Sequence, residues 1–318
     1  MRYFNILLLG FISFIFSTTL NASVVLEDSF VGADGTALDG RTPNIGDVTW
    51  HSHSVGSAGL MHIQSNRAQL HANATDAQDS IYADVTNLYP TILNNAGTIS
   101  WGIQVNELNF NPSNAYNWAF VIGATQSDFL TNGGGGNGYV LTTHGALDVL
   151  MFGHFTNGLK DGSNDTGWDN VTPILIAESF ATPFNAQFSI RLDYEVLTGT
   201  WKLYGENDPT IDPNTLTTLL GSVTDSTYTN NNLPYIGLAF DHSSHTDRFI
   251  DINRVTIGNT SPSPTLTYSD VTFFESYGND GSINNTSPIT ISLQTDQFTG
   301  LVGEDFVETG KIEVTNPQ

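Results

Sequence analysis

The sequence predicts an all-β fold, a jelly-roll sandwich of two antiparallel sheets followed by a short, partial β-sandwich unit. Three observations predict it. The first is the stretch from Asn185 to Gly205. Phe188, Ile190, Leu192 and Tyr194 alternate with Ser189, Arg191, Asp193 and Glu195; past the turn Leu197-Thr198-Gly199-Thr200, Trp201 and Leu203 alternate with Lys202 and Tyr204. A period of two makes one face apolar and the other polar, so the stretch is a hairpin with one buried face, and Gly199 supplies the positive φ that a tight turn asks for. The second is the repetition of this pattern in about fifteen strand-length segments across residues 23–258, set apart by Gly, Asn and Ser, with no convincing amphipathic helix. Short strands at that spacing belong to a sandwich or barrel, and a double-sheet jelly roll is the usual way to close so many of them. The third is the Pro/Ser stretch 259–265 (NTSPSPT), which reads as a linker. Behind it, residues 266–318 hold three or four more strand-length segments, a marginal sandwich taken alone.

In chain order, Arg2, the apolar run 6–16 and Leu20-Asn21-Ala22 have the layout of a signal peptide over residues 1–22, cleaved before Ser23. The apolar run is shorter than the roughly 20 residues that span a bilayer. Strands are expected at 24–30, 48–53, 59–64, 67–72, 79–85, 98–107 and 116–123. The glycine-rich loop 131–138 (TNGGGGNG) has no following helix and no lysine at the phosphate-loop position, so it reads as a hairpin tip. Strands at 139–143, 146–155 and 174–178 lead into the hairpin. A short helical turn around 212–220 follows it, and closing strands are expected at 235–241 and 248–257.

Composition removes several classes of function. There is no cysteine, so neither disulfides nor thiolate chemistry applies. Nine basic residues against 32 acidic ones, a net charge of −23, leave no basic stripe for nucleic acid or for an anionic membrane surface. Only 13% of residues are charged, so the surface is built largely from Asn, Ser, Thr, Gly and Asp, which suits an extracellular setting.

Some side-chain groups could carry chemistry. Asp161, Ser163, Asp165 and Asp169 place oxygens at intervals in the polar loop 161–170, as a calcium site would; a solvated Asx-rich loop is the competing reading. His51, His53 and His62, and the run Asp241-His242 with His245 and Asp247, invite zinc, but their spacing falls in loops and strands and does not guarantee convergence. No nucleophile elbow supports a Ser-His-Asp triad. Aromatic side chains suit sugar faces, with Asn, Asp and Gly loops to take the hydroxyls. Trp168 lies in the most polar loop and is expected to be exposed, with Asp169 beside it; Trp118 and Tyr116 adjoin an Asn-rich loop, whereas Trp50, Trp101 and Trp201 sit in strand alternation and read as core.

Leu26-Glu27-Asp28-Ser29-Phe30, then Asp34-Gly35-Thr36 and Leu38-Asp39-Gly40-Arg41-Thr42-Pro43 leading to Trp50, resembles the opening of secreted concanavalin A-like lectin/glucanase domains of the LamG type. Arg191-Leu192-Asp193-Tyr194 with Thr198-Gly199-Thr200-Trp201 resembles their central hairpin, and Phe249-Ile250-Asp251-Ile252-Asn253-Arg254-Val255 their closing strand. The resemblance covers 24–258. It implies a concanavalin A-like jelly roll of two curved sheets, often binding a polysaccharide or cell-surface glycan and sometimes catalytic. First and last strands usually pair in jelly rolls, so Glu27 or Asp28 of the first strand and Asp251 of the last could share a structural calcium, as in many carbohydrate-binding jelly rolls; solvent-facing strand carboxylates are the competing reading. The paired carboxylates of the glucanases, E-x-D-x-x-E, are absent, and Asp193-Tyr194-Glu195 is the nearest approach to them. The expected function is therefore non-catalytic glycan binding. A structural or adhesive module of a larger extracellular protein, and a polysaccharide hydrolase or lyase, remain as alternatives. Residues 266–318 are similar to extracellular β-sandwich repeats of the Calx-β kind.

Overall fold

The computed structural model describes residues 23–56, 59–72, 77–88, 97–113, 116–130, 135–160, 167–229, 232–242 and 247–260. The expected signal peptide 1–22, the C-terminal unit 266–318, most of the linker, and Asp161 and Asp165 lie outside them.

Fifteen strands form among these residues: β1 (Ser23–Asp28), β2 (Trp50–Val55), β3 (Leu60–Ile63), β4 (Ala68–His71), β5 (Ala77–Asp84), β6 (Thr98–Leu108), β7 (Tyr116–Ala124), β8 (Asn137–His144), β9 (Val149–Thr156), β10 (Val171–Ala181), β11 (Phe188–Glu195), β12 (Thr200–Glu206), β13 (Leu219–Thr224), β14 (Tyr235–His242) and β15 (Phe249–Thr260). They pair antiparallel into two sheets. One has the order β13-β12-β11-β6-β15-β4-β3, with β1 also on β15; the other has the order β10-β9-β8-β7-β14-β5-β2. Sequence neighbours such as β6 and β7 fall in different sheets, so the chain is a two-layer jelly-roll sandwich whose terminal strands β1 and β15 lie side by side.

The predicted hairpin is β11 and β12, in register from Ser189 opposite Glu206 to Glu195 opposite Thr200. Its apolar face packs between the sheets as expected. Its polar face is covered over the Ser189–Asp193 end, while Glu195 and Lys202 stay partly exposed. Ser189 is buried, with its hydroxyl donating to the carbonyls of Asp208 and Ile211 at 2.8 Å each. Arg191 donates to the carbonyls of Pro213 and Asn214, and an added Cβ at Gly102 of β6 would lie 2.6 Å from the Pro213 ring. The helical turn is a single 3-10 turn, Pro213–Thr215, capped by Asp212, whose carboxylate accepts the Asn214 N–H at 2.9 Å. Leu219 and Leu220, expected in that turn, begin β13 instead, because backbone pairing with β12 is available there.

All seven described basic residues stand against a carboxylate: Arg41 with Asp28, Arg67 with Asp251, Lys160 with Asp169, Arg191 with Asp193, Lys202 with Glu195, Arg248 with Asp247, and Arg254 with Glu27 and Asp212. The carboxylates in excess of these cations repel one another, and salt shortens the range of that repulsion to about 3 Å at 1 M from about 30 Å at 0.01 M. The urea midpoint is therefore expected to rise between about 0.01 M and about 1 M NaCl. A midpoint that falls with salt would mean that the ion pairs outweigh the repulsion.

Candidate functional site

The outer face of the seven-stranded sheet is where side chains collect without a second sheet to cover them. Period two sends Trp118, Phe120 and Ile122 of β7 into the inter-sheet core and Asn117, Ala119 and Val121 outward. Beside the polar Asn117 and Thr142, outward positions of β7, β8 and β9 are apolar: Val140, Met151 and Phe155 join Ala119 and Val121 in a second cluster. Two loops close over it. Phe129 and Leu130 descend from the segment after β7, and Leu159 and Trp168 from the segment between β9 and β10. Phe129 needs Gly237 beneath it, since a Cβ there would lie 2.6 Å from its ring.

The other half of the face, on β14, β5 and β2, carries half-exposed rings. His51 of β2 is exposed and lies directly opposite Tyr82 of β5, with ring centroids 5.4 Å apart. Tyr82 meets Tyr235 of β14 edge-on at 6.2 Å. His53, two residues along β2, places Nδ1 3.3 Å from the Asp128 carboxylate on the covering loop. Further along, the pairing Gln78–Asp241–Asn117 runs across β5, β14 and β7, all three side chains buried. The result is a ring platform with an amide and carboxylate row at one end and the Asp128–Phe129 loop as a wall.

Several expectations need correction. Trp168 is not exposed: it is fully buried, and its Nε1 donates to the Thr142 hydroxyl at 3.2 Å and the Trp118 carbonyl at 3.3 Å. Trp118 is also fully buried, with Nε1 donating to the Thr143 hydroxyl at 2.9 Å. Neither indole has a face to offer a sugar. Tyr116 shares the inward side of β7 and packs 6.4 Å from Phe110. Asp169 is held by Lys160 at 3.5 Å, closing the base of the loop before β10. Trp50, Trp101 and Trp201 are core, as their alternation predicts.

β1 and β15 do pair, but the carboxylates proposed to share calcium are each taken by a guanidinium. Glu27 accepts from Arg254 at 2.8 Å, Asp28 accepts two bonds from Arg41 at 2.8 Å, and Asp251 accepts from Gln69 at 2.8 Å with Arg67 at 3.8 Å. Burial pushes the Asp251 carboxyl above its ordinary value. These three residues do not fit a shared cation, and among the described residues no group of three or more His, Asp or Glu could hold a metal ion. The carboxylates nearest to a hydrolase pair are likewise engaged. Asp193 is buried, which raises its pKa, and it accepts from Ser100 at 2.7 Å beside Arg191, while Glu195 pairs with Lys202. His242 is buried against Asp79, and Ser54 bonds the same aspartate, so the order is Ser-Asp-His with the carboxylate in the middle. That order gives the hydroxyl no imidazole base.

No family model matches the chain, and no curated protein matches it. Among solved structures it is similar to the carbohydrate recognition domain of Emp47p, at 10% identity over 76% of this chain and 99% of that one, TM-score 0.47. It is similar to the exoplasmic/lumenal domain of VIP36 in its Ca2+- and mannose-bound form, at 11% identity over 80% and 100%, TM-score 0.47. It is also similar to a legume lectin-like domain from Entamoeba histolytica, at 9% identity over 65% and 88%, TM-score 0.39. The architecture of this chain is carried by its own strand order.

Proposed function

We propose that the protein is a non-catalytic glycan-binding module, secreted or held in a lumenal or extracellular space, and that it takes its ligand on the uncovered half of the seven-stranded sheet. The observation that carries this reading is the platform of His51, Tyr82 and Tyr235, half-exposed rings in mutual contact on a rigid sheet. A sugar ring presents an apolar C–H face that such rings cover, and its hydroxyls need planar polar partners nearby. His53 with Asp128 at the platform's side, both partly exposed, are of the right chemistry. The excess of negative charge favours a neutral or weakly charged polysaccharide over an anionic one.

Isothermal titration against a glycan panel that includes mannose oligosaccharides, run in calcium and in chelator, tests the reading. Tyr82→Ala and Tyr235→Ala are each expected to weaken binding about tenfold, the loss of one stacking ring. The chelator arm reports whether calcium contributes. Absence of binding across the panel, or binding indifferent to both substitutions, would overturn the assignment.

A further inference from the structure

At one corner of the sandwich, positions that period two assigns to the core are polar. Along β2 the inward residues run Trp50, Ser52, Ser54; along β5 they run Ala83, Ile81, Asp79; along β14, Leu238, Phe240, His242. All three strands turn from apolar to polar at the same end. Asp79 and His242 are fully buried there, joined at 2.8 Å, and Asp79 also accepts the Ser54 hydroxyl at 2.5 Å and the Gly59 N–H at 2.9 and 3.0 Å. Polar groups in core positions cost stability unless satisfied, and a chain that departs locally from its own pattern tends to do so where it functions.

Beside Ser54 the inter-sheet layer opens into a pocket of about 470 Å³, between β2, the last strand of one sheet, and β3, the last strand of the other. Ser52 and Ser54 line one wall, Leu60 and Met61 the other, and Asp39 and His62 add a carboxylate and an imidazole. We propose that this edge pocket binds a small, uncharged, polyhydroxylated molecule, at a site separate from the ring platform. Ser54 spends its proton on Asp79, so its oxygen meets a ligand as an acceptor. Asp39, which already accepts the Ser52 N–H at 2.9 Å, accepts further hydroxyls, and His62 donates or accepts. Leu60 and Met61 cover the C–H side of such a molecule. Anions are opposed by Asp39 and by the net charge of −23. A bare cation finds only the exposed, solvent-screened carboxylate of Asp39, which holds it weakly. The volume lies in the small-ligand range of roughly 300–1,000 Å³.

Two-dimensional amide NMR of the full chain, titrated separately with glycerol, myo-inositol, D-glucose, inorganic phosphate and spermidine, tests the proposal. Saturable shifts at Ser52, Gly59 and His62 with at least one of the three polyols are expected. Ser52→Phe, which fills the pocket from an exposed position, should weaken them at least tenfold, by an order-of-magnitude argument from lost contacts. Ser54→Ala, a smaller change whose spectrum reports folding, should weaken them as well, and Tyr82→Ala should leave them unchanged. No saturable shift with any polyol, shifts that survive Ser52→Phe and Ser54→Ala, or a stronger response to phosphate or spermidine would overturn it. Because Tyr82→Ala acts on the platform alone, failure of one site is separable from failure of the other.

Discussion

Trp201→Ala is expected to destabilise the sandwich by about 5 kcal/mol, the upper end of the range for removing a large aromatic side chain from a core. The indole is 2% exposed and sits where both sheets meet. Tyr194 beside it on β11 is 4.4 Å away between ring centroids and Trp101 on β6 is 5.8 Å away; across the layer, Tyr139 of β8 and Phe152 of β9 each lie at 4.8 Å. Aromatic contacts of this kind contribute about 0.5–1.5 kcal/mol each beyond area burial. Nε1 also donates to the Asp225 carbonyl at 3.0 Å, and the Tyr139 hydroxyl donates to the Asp225 carboxylate at 2.7 Å while accepting from Tyr228 N. The loop after β13 is thus pinned by the same cluster. Four rigid rings on strands of two sheets cannot collapse into the void, which is why a cost near the top of the range is expected. Trp201→Phe should cost roughly half as much, because the ring contacts are partly kept while the Asp225 carbonyl loses its donor. Urea titration of the two variants measures both; a loss below about 2 kcal/mol for Trp201→Ala would show that the cluster repacks.

The strands were legible where one face is buried. Phe188, Ile190, Leu192 and Tyr194 alternate cleanly, and the structure packs them between the sheets. What was less legible followed from segments that cover the outer faces. Trp168 reads as exposed because its neighbours in sequence are Asp, Asn, Gly and Ser, yet solvent exposure is decided by neighbours in space, and these include Ala119, Val140 and Met151. A signal for this existed. Residues 116–124 (YNWAFVIGA) form a nearly continuous apolar run rather than an alternation, which marks a strand buried on both faces and so calls for something to cover its outside. The same blindness applies to Ser189, read as solvent-facing but buried under the 208–214 segment, and to Asp193, buried beside Ser100 and Arg191. The ring platform was illegible for another reason. His51, Tyr82 and Tyr235 are distant in sequence and become neighbours only through the register of β2, β5 and β14, which periodicity does not specify.

Asp28→Ala is expected to cost about 3–5 kcal/mol, the penalty for stranding a charge whose partner is removed. The Asp28 side chain is fully buried and satisfies four donors. Oδ1 accepts from Phe30 N at 2.9 Å and from an Arg41 terminal nitrogen at 2.8 Å; Oδ2 accepts from Arg41 Nε at 2.8 Å and from Trp50 Nε1 at 2.9 Å. Alanine leaves the largely buried guanidinium of Arg41 without a counter-charge and the buried Trp50 N–H without an acceptor. It also releases Phe30, a fully buried residue held at a φ of 51°, a left-handed conformation that costs a phenylalanine about 1–3 kcal/mol and persists only while its surroundings enforce it. One carboxylate therefore ties β1, the chain leaving it and the start of β2 together, and those residues are the ones whose resemblance to a lectin opening suggested a cation there. The guanidinium of Arg41 does the work that a cation would do. For a domain of this size the loss should lower the melting temperature by roughly 10 °C, at about 2–4 °C per kcal/mol. Arg41→Met with Asp28 intact strands the opposite charge and should be comparably costly, whereas the double variant Asp28→Ala/Arg41→Met should cost clearly less than the two single losses added together. Urea midpoints for the three proteins measure that coupling, and additive losses would show that Asp28 acts through Trp50 and Phe30 rather than through its ion pair.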